Sequence, residues 1–160
     1  MSAVATYHDR VPDDRDRKRT LLLDWLSAHD THRMALHDGG PIESPRILTR
    51  LRAALPAPEE SVYVFVRRDA PTMPLYVGRA TQPVKRWEGH LRSLLKSTAR
   101  TEAWQVHFQH PLDLYVVPVT AMQGPPIPCF PVTVGAVEAQ LISLAQDTNP
   151  ALLNHEGVRR

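Results

Sequence analysis

Residues Ser61 to His90 read SVYVFVRRDAPTMPLYVGRATQPVKRWEGH, two short apolar runs followed at once by a basic segment. Val62, Tyr63, Val64, Phe65 and Val66 are β-branched or aromatic, as are Tyr76 and Val77, so both runs favour extended backbone. Asp69, Pro71 and Pro74 break any helix between them, which predicts a hairpin whose second strand ends at Gly78. Thr81 is a candidate cap and Pro83 suits a first helical turn. From there Arg86, His90 and Leu94 recur at four-residue intervals, on one helix face. Downstream, Asp113-Leu114-Tyr115-Val116-Val117-Pro118-Val119 reads as a third strand, with Pro118 implying an edge or a bulge. The expected architecture is α+β: a small three-stranded antiparallel sheet from Ser61–Arg68, Leu75–Arg79 and Asp113–Thr120, surrounded by helices.

Val62-Tyr63, Tyr76-Val77-Gly78, Arg86 and His90, taken in this order and spacing, resemble the GIY-YIG nuclease family. Glu138 within VEAQLISL resembles that family's metal-binding glutamate, and Asn154 in NPALLN resembles the asparagine that closes its domain. The resemblance runs from about Ser61 to Glu156 and implies a GIY-YIG-like nuclease domain over residues 59–160, preceded by a helical N-terminal extension over residues 1–58. Two departures stand out. Ser61 occupies a position where the family usually has glycine, and Tyr63 lies thirteen residues before Tyr76 whereas Phe65 lies eleven before it. A two-residue insertion preserves strand parity, so Tyr63 and Phe65 share a face. Tyr63 is taken as the first-motif tyrosine.

The resemblance implies a metal-dependent endonuclease that hydrolyses phosphodiester bonds in DNA, with RNA offering the same linkage. Glu138 would supply a carboxylate to one hard divalent cation, Mg²⁺ or Mn²⁺, that keeps most of its positions for water and phosphate oxygens. Tyr63 is the candidate general base by the same resemblance. An unperturbed phenol has a pKa near 10, so it needs nearby cations to give up its proton. Tyr76 would orient water or phosphate. Arg86 carries a fixed fork of donors suited to phosphate oxygens. His90, one turn on, would bridge the phosphate or relay a proton. Asn154 has two candidate roles, a hydrogen bond to phosphate or a tie from the C-terminal segment to the core.

Charge agrees with that chemistry in its distribution rather than its total. A formal net charge of +2 is only mildly basic. Yet between Arg79 and Arg100 the basic residues Arg79, Lys85, Arg86, Arg92, Lys96 and Arg100 face the single acid Glu88, a candidate phosphate-binding stripe. A basic run taken alone is more often a solvated helix face. The adjoining motif turns the reading towards nucleic acid. The competing function is a catalytically inactive nucleic-acid-binding module on the same fold, and a third class is a purely structural partner protein.

Elsewhere the chain is less informative. Cys129 is the only cysteine. It excludes an internal disulfide and a cysteine-rich zinc site, fits a reducing compartment, and reads as a small buried hydrophobe. The first residues lack the apolar core of a signal peptide and no later stretch suits a bilayer, so the expected setting is cytoplasmic without a membrane partner. Met1 to Pro12 reads as a loose tail. Asp13 or Asp14 can cap a helix with Leu21, Leu22, Trp25 and Leu26 on one side, a second helical piece is expected over Thr31 to His37, and a third opens at Ser44-Pro45. Thr101 to His110 is ambiguous, and Gly124 to Pro131 reads as a stiff connector. The helix over Thr133–Asp147 ends at Asn149-Pro150. His29, His32 and His37 lack a ligand pattern and read as surface histidines. His8, His107, His110 and His155 carry no motif.

Overall fold

The computed structural model describes residues 14–54, 58–71, 74–95, 105–149 and 152–154. Among the described residues, eight helices and strands make three layers. They are α1 (Asp14–Ala28), β1 (Arg33–Asp38), α2 (Ser44–Ala54), β2 (Ser61–Arg67), β3 (Tyr76–Ala80), α3 (Pro83–Leu95), β4 (Pro111–Pro118) and α4 (Val134–Thr148), with short 3₁₀ turns including Asp30–His32 and Val106–Gln109. The sheet is antiparallel throughout, in the order β1-β4-β2-β3. The class is therefore α+β, as expected.

Both faces of the sheet are covered, and strand parity decides which side chain meets which helix pair. Val62, Val64 and Val66 of β2 pack with Leu22, Trp25 and Leu26 of α1 and Val137, Leu141 and Ala145 of α4. Tyr63 and Phe65, one step out of phase, pack with Ile47 and Leu51 of α2 and Trp87 and Leu91 of α3. This is why β2 is a continuous apolar run rather than an alternating one. Each buried valine contributes about 1.5–3 kcal/mol.

A fourth strand corrects the expected sheet of three. Arg33–Asp38 is β1, where a helical piece over Thr31 to His37 was predicted, so the N-terminal extension is not wholly helical. Pairing with β4 overrides the weak local preference. A register shift between Ala35 and His37 lets the adjacent Leu36 and His37 both turn inward. Asp113, buried on β4, receives Arg33 Nη1 at 3.3 Å and Arg68 Nε at 3.0 Å, fastening β1 and the end of β2 to the middle of the sheet. Since β4 lies between β1 and β2, Pro118 marks neither an edge strand nor a bulge. It is the last residue of the strand, opposite Ser61.

Three further expectations change. His29 and His37 are core histidines, not surface ones. His29 donates from Nδ1 to the Trp25 carbonyl at 2.6 Å and accepts the Gln123 amide on Nε2 at 2.9 Å, while His37 Nε2 donates to the Phe108 carbonyl at 2.7 Å. Cys129 is exposed rather than buried, at a positive φ of 75° in the proline-rich connector. The ambiguous stretch ends in a 3₁₀ turn that buries Phe108 and leaves Val106 outside. The predicted tail over Met1 to Pro12 lies outside the described residues.

At the open edge of the sheet, β3 is sealed by the segment after α4. Leu153 donates its backbone amide to the Leu75 carbonyl at 2.8 Å, and the Asn149 side chain donates from Nδ2 to the Pro74 carbonyl at 2.9 Å. Asn154 completes the seal by mimicking a strand: its Oδ1 accepts from the Val77 amide at 2.9 Å and its Nδ2 donates to the Val77 carbonyl at 2.5 Å. An edge strand left bare would invite pairing with another chain. Among the described residues no helix is long and apolar enough to cross a membrane.

Candidate active site

Tyr63, Tyr76, Arg86 and His90 come together on the face covered by α2 and α3. Tyr63 enters from β2 and stacks on Tyr76 of β3, ring centroids 5.9 Å apart at 18°. Its hydroxyl lies 3.4 Å from His90 Nε2. His90 stands edge-on to both tyrosines, at 6.4 Å from Tyr63 and 5.6 Å from Tyr76. Arg86, one turn earlier on α3, directs its guanidinium at the hydroxyls of both tyrosines. The i, i+4 spacing read from the sequence thus delivers a cation and an imidazole to the same pair of phenols.

Gly78 is what allows this. It sits directly across from Tyr63 in the β2–β3 pairing, and a Cβ there would lie 2.4 Å from both the Tyr63 Cζ and its hydroxyl oxygen. The tyrosine ring lies over bare backbone. Phe65 shares the face of Tyr63, but its ring packs against Trp87 at 5.4 Å and Phe108 at 6.1 Å. It carries no hydroxyl into the cluster, so of the two first-motif candidates only Tyr63 brings a polar atom there.

The electrostatics of the cluster depart from the sequence expectation. Burial pushes the Tyr63 phenol up, Tyr76 adds to the rise, and Arg86 pulls against both without reversing them. The phenol is therefore protonated at neutral pH: Arg86 eases its ionisation, as a nearby cation should, but burial outweighs it. His90 moves the other way: burial first, then the Arg86 charge, hold its imidazole down at about 4. It is neutral at pH 7, with a ring nitrogen beside the Tyr63 hydroxyl. The pair can relay a proton in concert: the Tyr63 oxygen takes a proton from a bound water as its own passes to the His90 imidazole, so that no free phenolate is left behind.

Glu138 occupies another setting. It lies on α4, which packs against the valine side of the sheet, and its Oε1 is 3.6 Å from Arg79 Nε. Arg79 follows Gly78 on β3 and pairs with Val62, so by strand parity its side chain leaves the sheet on the face opposite to Tyr63. Among the described residues no group of three or more His, Cys, Asp or Glu side chains is arranged to hold a metal ion. The donor at hand is the Glu138 carboxylate, held as an anion against a guanidinium. One carboxylate with substrate oxygens and water suits Mg²⁺ or Mn²⁺, which seldom take an all-protein cage.

The remaining nucleic-acid candidates divide. Lys85 and Arg92 are exposed on α3. Glu88, the one acid of that run, is bound by Arg52 of α2 at 2.5 Å, so α2 offsets the only negative charge there. Arg79 is exposed but paired, as above. Asn154 is buried, with its amide held by Val77, which gives it the second of its two candidate roles and leaves no phosphate contact to build on it. Lys96, Arg100 and His155 lie outside the described residues. The sequence reading missed Trp87, which is buried against Tyr63 at 5.6 Å and His90 at 5.2 Å and fixes both rings. Its place one residue after Arg86 and three before His90 was the available signal. Gly135, second residue of α4 after the Thr133 cap, was missed as well: a Cβ there would lie 2.9 Å from Arg79 Nη1. No family model, curated protein or solved structure matches the chain.

Proposed function

We propose that the chain is a metal-dependent endonuclease of the GIY-YIG type, hydrolysing phosphodiester bonds in DNA. The observation that carries this reading is the convergence of Tyr63, Tyr76, Arg86 and His90 over Gly78, a glycine that the Tyr63 ring requires. Arg86 binds phosphate oxygens where charge grows in the transition state, and Tyr63 positions the attacking water. His90, neutral at the edge of the cluster, takes the proton that Tyr63 hands on. Tyr76 holds the orientation of Tyr63 by stacking. Bound at Glu138, a divalent cation would supply charge neutralisation at phosphorus. Lys85 and Arg92 hold the flanking backbone.

One observation favours the second reading, an inactive nucleic-acid-binding module: the Glu138 carboxylate already has a cation, Arg79, across the edge strand from the phenols. A cleavage assay on duplex, single-stranded, nicked and branched DNA, with Mg²⁺ or Mn²⁺ and with chelator, separates the two. The nuclease gives metal-dependent nicking of at least one form. Binding that weakens with salt, without cleavage of any form, establishes the binding module. Neither binding nor cleavage overturns both.

A further inference from the structure

We propose that Arg79 is a placeholder cation on Glu138: its guanidinium occupies the carboxylate until a nucleic-acid phosphate draws it away, so that the divalent metal gains the carboxylate only once substrate is on the protein. The proposal rests on the reading of Glu138 as the metal ligand. It concerns what holds that ligand beforehand.

Three features of the pair fit a displaceable cation. The contact is long, 3.6 Å, and made through Nε. The Arg79 side chain is 55% exposed while Glu138 is 23% exposed, so a phosphate can reach the guanidinium before anything reaches the carboxylate. Gly135 is the third. It is a glycine in the first turn of α4, three residues before Glu138, and its missing side chain leaves the space in which Arg79 Nη1 lies along α4. A glycine in a helix is otherwise a cost in stability. A tie meant only to hold β3 on α4 would not need it, since Val77 already packs with Val137 and Leu141 beneath.

A guanidinium and a divalent cation held on one carboxylate repel each other, so each weakens the other's hold. A half-exposed pair is weak enough for such an exchange. The arrangement ties metal loading to substrate binding through one charge, and the coupling must be reciprocal: whatever releases Arg79 tightens metal, and metal favours the released arginine.

The test is Mn²⁺ binding followed by electron paramagnetic resonance on the full chain, wild type against Arg79→Gln, Gly135→Ala and Glu138→Gln, first with the metal alone. Arg79→Gln should bind Mn²⁺ about two- to fivefold more tightly than wild type, the factor set by a half-exposed ion pair. Gly135→Ala, which keeps the charge but fills its resting place, should shift in the same direction. Glu138→Gln should abolish the difference. A phosphorothioate duplex, cleaved slowly, should then tighten Mn²⁺ binding more in wild type than in Arg79→Gln. Equal Mn²⁺ affinity in wild type and Arg79→Gln, both dependent on Glu138, overturns the placeholder and leaves the nuclease reading standing. Mn²⁺ binding indifferent to Glu138→Gln in every background overturns the placeholder together with the metal assignment beneath it.

Discussion

The two faces of the sheet are built from the same strands and are unlike in kind. Towards α1 and α4, β2 presents Val62, Val64 and Val66 to a mainly aliphatic core, in which Trp25 and Tyr115 are the aromatic members. Towards α2 and α3 it presents Tyr63 and Phe65 to Trp87, Phe108, Tyr76 and His90, rings with polar tips or partners. Burial alone is satisfied equally on both sides. The aromatic side holds two hydroxyls and an imidazole next to one another in fixed register, because planar rings packed edge to face leave few alternative arrangements. The aliphatic side carries its chemistry at the rim instead, where Glu138 meets Arg79. Stability is distributed over both faces, while directed polar groups are concentrated on one.

The sharpest way to break that comparison is to remove one charge from each side. Arg86→Ala should lower cleavage about 10²–10³-fold and also weaken DNA binding, since on the proposed nuclease reading its guanidinium would contact phosphate in ground and transition states alike. Glu138→Ala should abolish Mg²⁺-dependent cleavage with DNA binding nearly intact. Binding in low-salt buffer and nicking with Mg²⁺ or Mn²⁺ are measured on both, alongside a folding check by circular dichroism. Full activity in Glu138→Ala sinks the metal assignment.

Next in size is a steric test of the aromatic face. Gly78→Ala forces a Cβ to within 2.4 Å of a phenol ring that Trp87 and Tyr76 hold on either side. Overpacking against a ring that cannot retreat should destabilise the fold by about 3 kcal/mol. Urea denaturation of Gly78→Ala, Tyr63→Val and the double variant forms a cycle in which the double is more stable than the sum of the singles requires. Additive losses mean that Tyr63 does not lie over Gly78.

Acid provides the third. His90 has its pKa lowered in the folded protein to about 4, against about 6.5 when unfolded, so between those values the unfolded chain binds more protons. Its contribution is fully present above pH 6.5 and is lost as pH falls towards 4. Allowing for partial exposure, the loss is on the order of 2–3 kcal/mol. His29 and His107 are also lowered, chiefly by burial, and slope the same way. Replacing His90 by Asn should flatten the stability profile between pH 4 and 6.5 without levelling it. An unchanged slope would show that His90 is solvated.

How much of this was legible in the sequence divides along similar lines. The three strands around Ser61, Tyr76 and Asp113 and the helices at Pro83 and Val134 follow from β-branched runs, turn residues and a Thr133 cap, all local signals. The Arg86–His90 spacing announced one face of the site for the same reason. β1 was not legible, because Arg33-Met34-Ala35-Leu36 has little strand preference of its own and becomes a strand by pairing with β4. The buried histidines were missed because burial of a polar ring depends on distant carbonyl and amide partners, Phe108 for His37 and Gln123 for His29. The direction of the Tyr63 shift was missed similarly: charge near a phenol is visible from spacing, whereas desolvation is a property of the assembled core.

The smallest effect bears on the rim. Gly135 lies in the first turn of α4, where alanine is favoured over glycine by at most the about 0.5–1 kcal/mol of a helix interior. The atom that its new Cβ would meet is the end of the flexible Arg79 side chain, which can swing aside because more than half of it faces solvent. The ion pair thereby given up is exposed and long, worth a few tenths of a kcal/mol. Gly135→Ala should therefore stabilise the protein by up to about 0.7 kcal/mol, a change readable as a small rise in the urea midpoint at unchanged slope. The comparison with Gly78 makes this informative. Two glycines on either side of the same edge strand both make room for a side chain, but at Gly78 the occupant is a clamped ring and at Gly135 a movable arginine. Opposite signs for the two alanine substitutions would establish that difference, whereas a destabilised Gly135→Ala would mean that Arg79 is held as firmly as Tyr63.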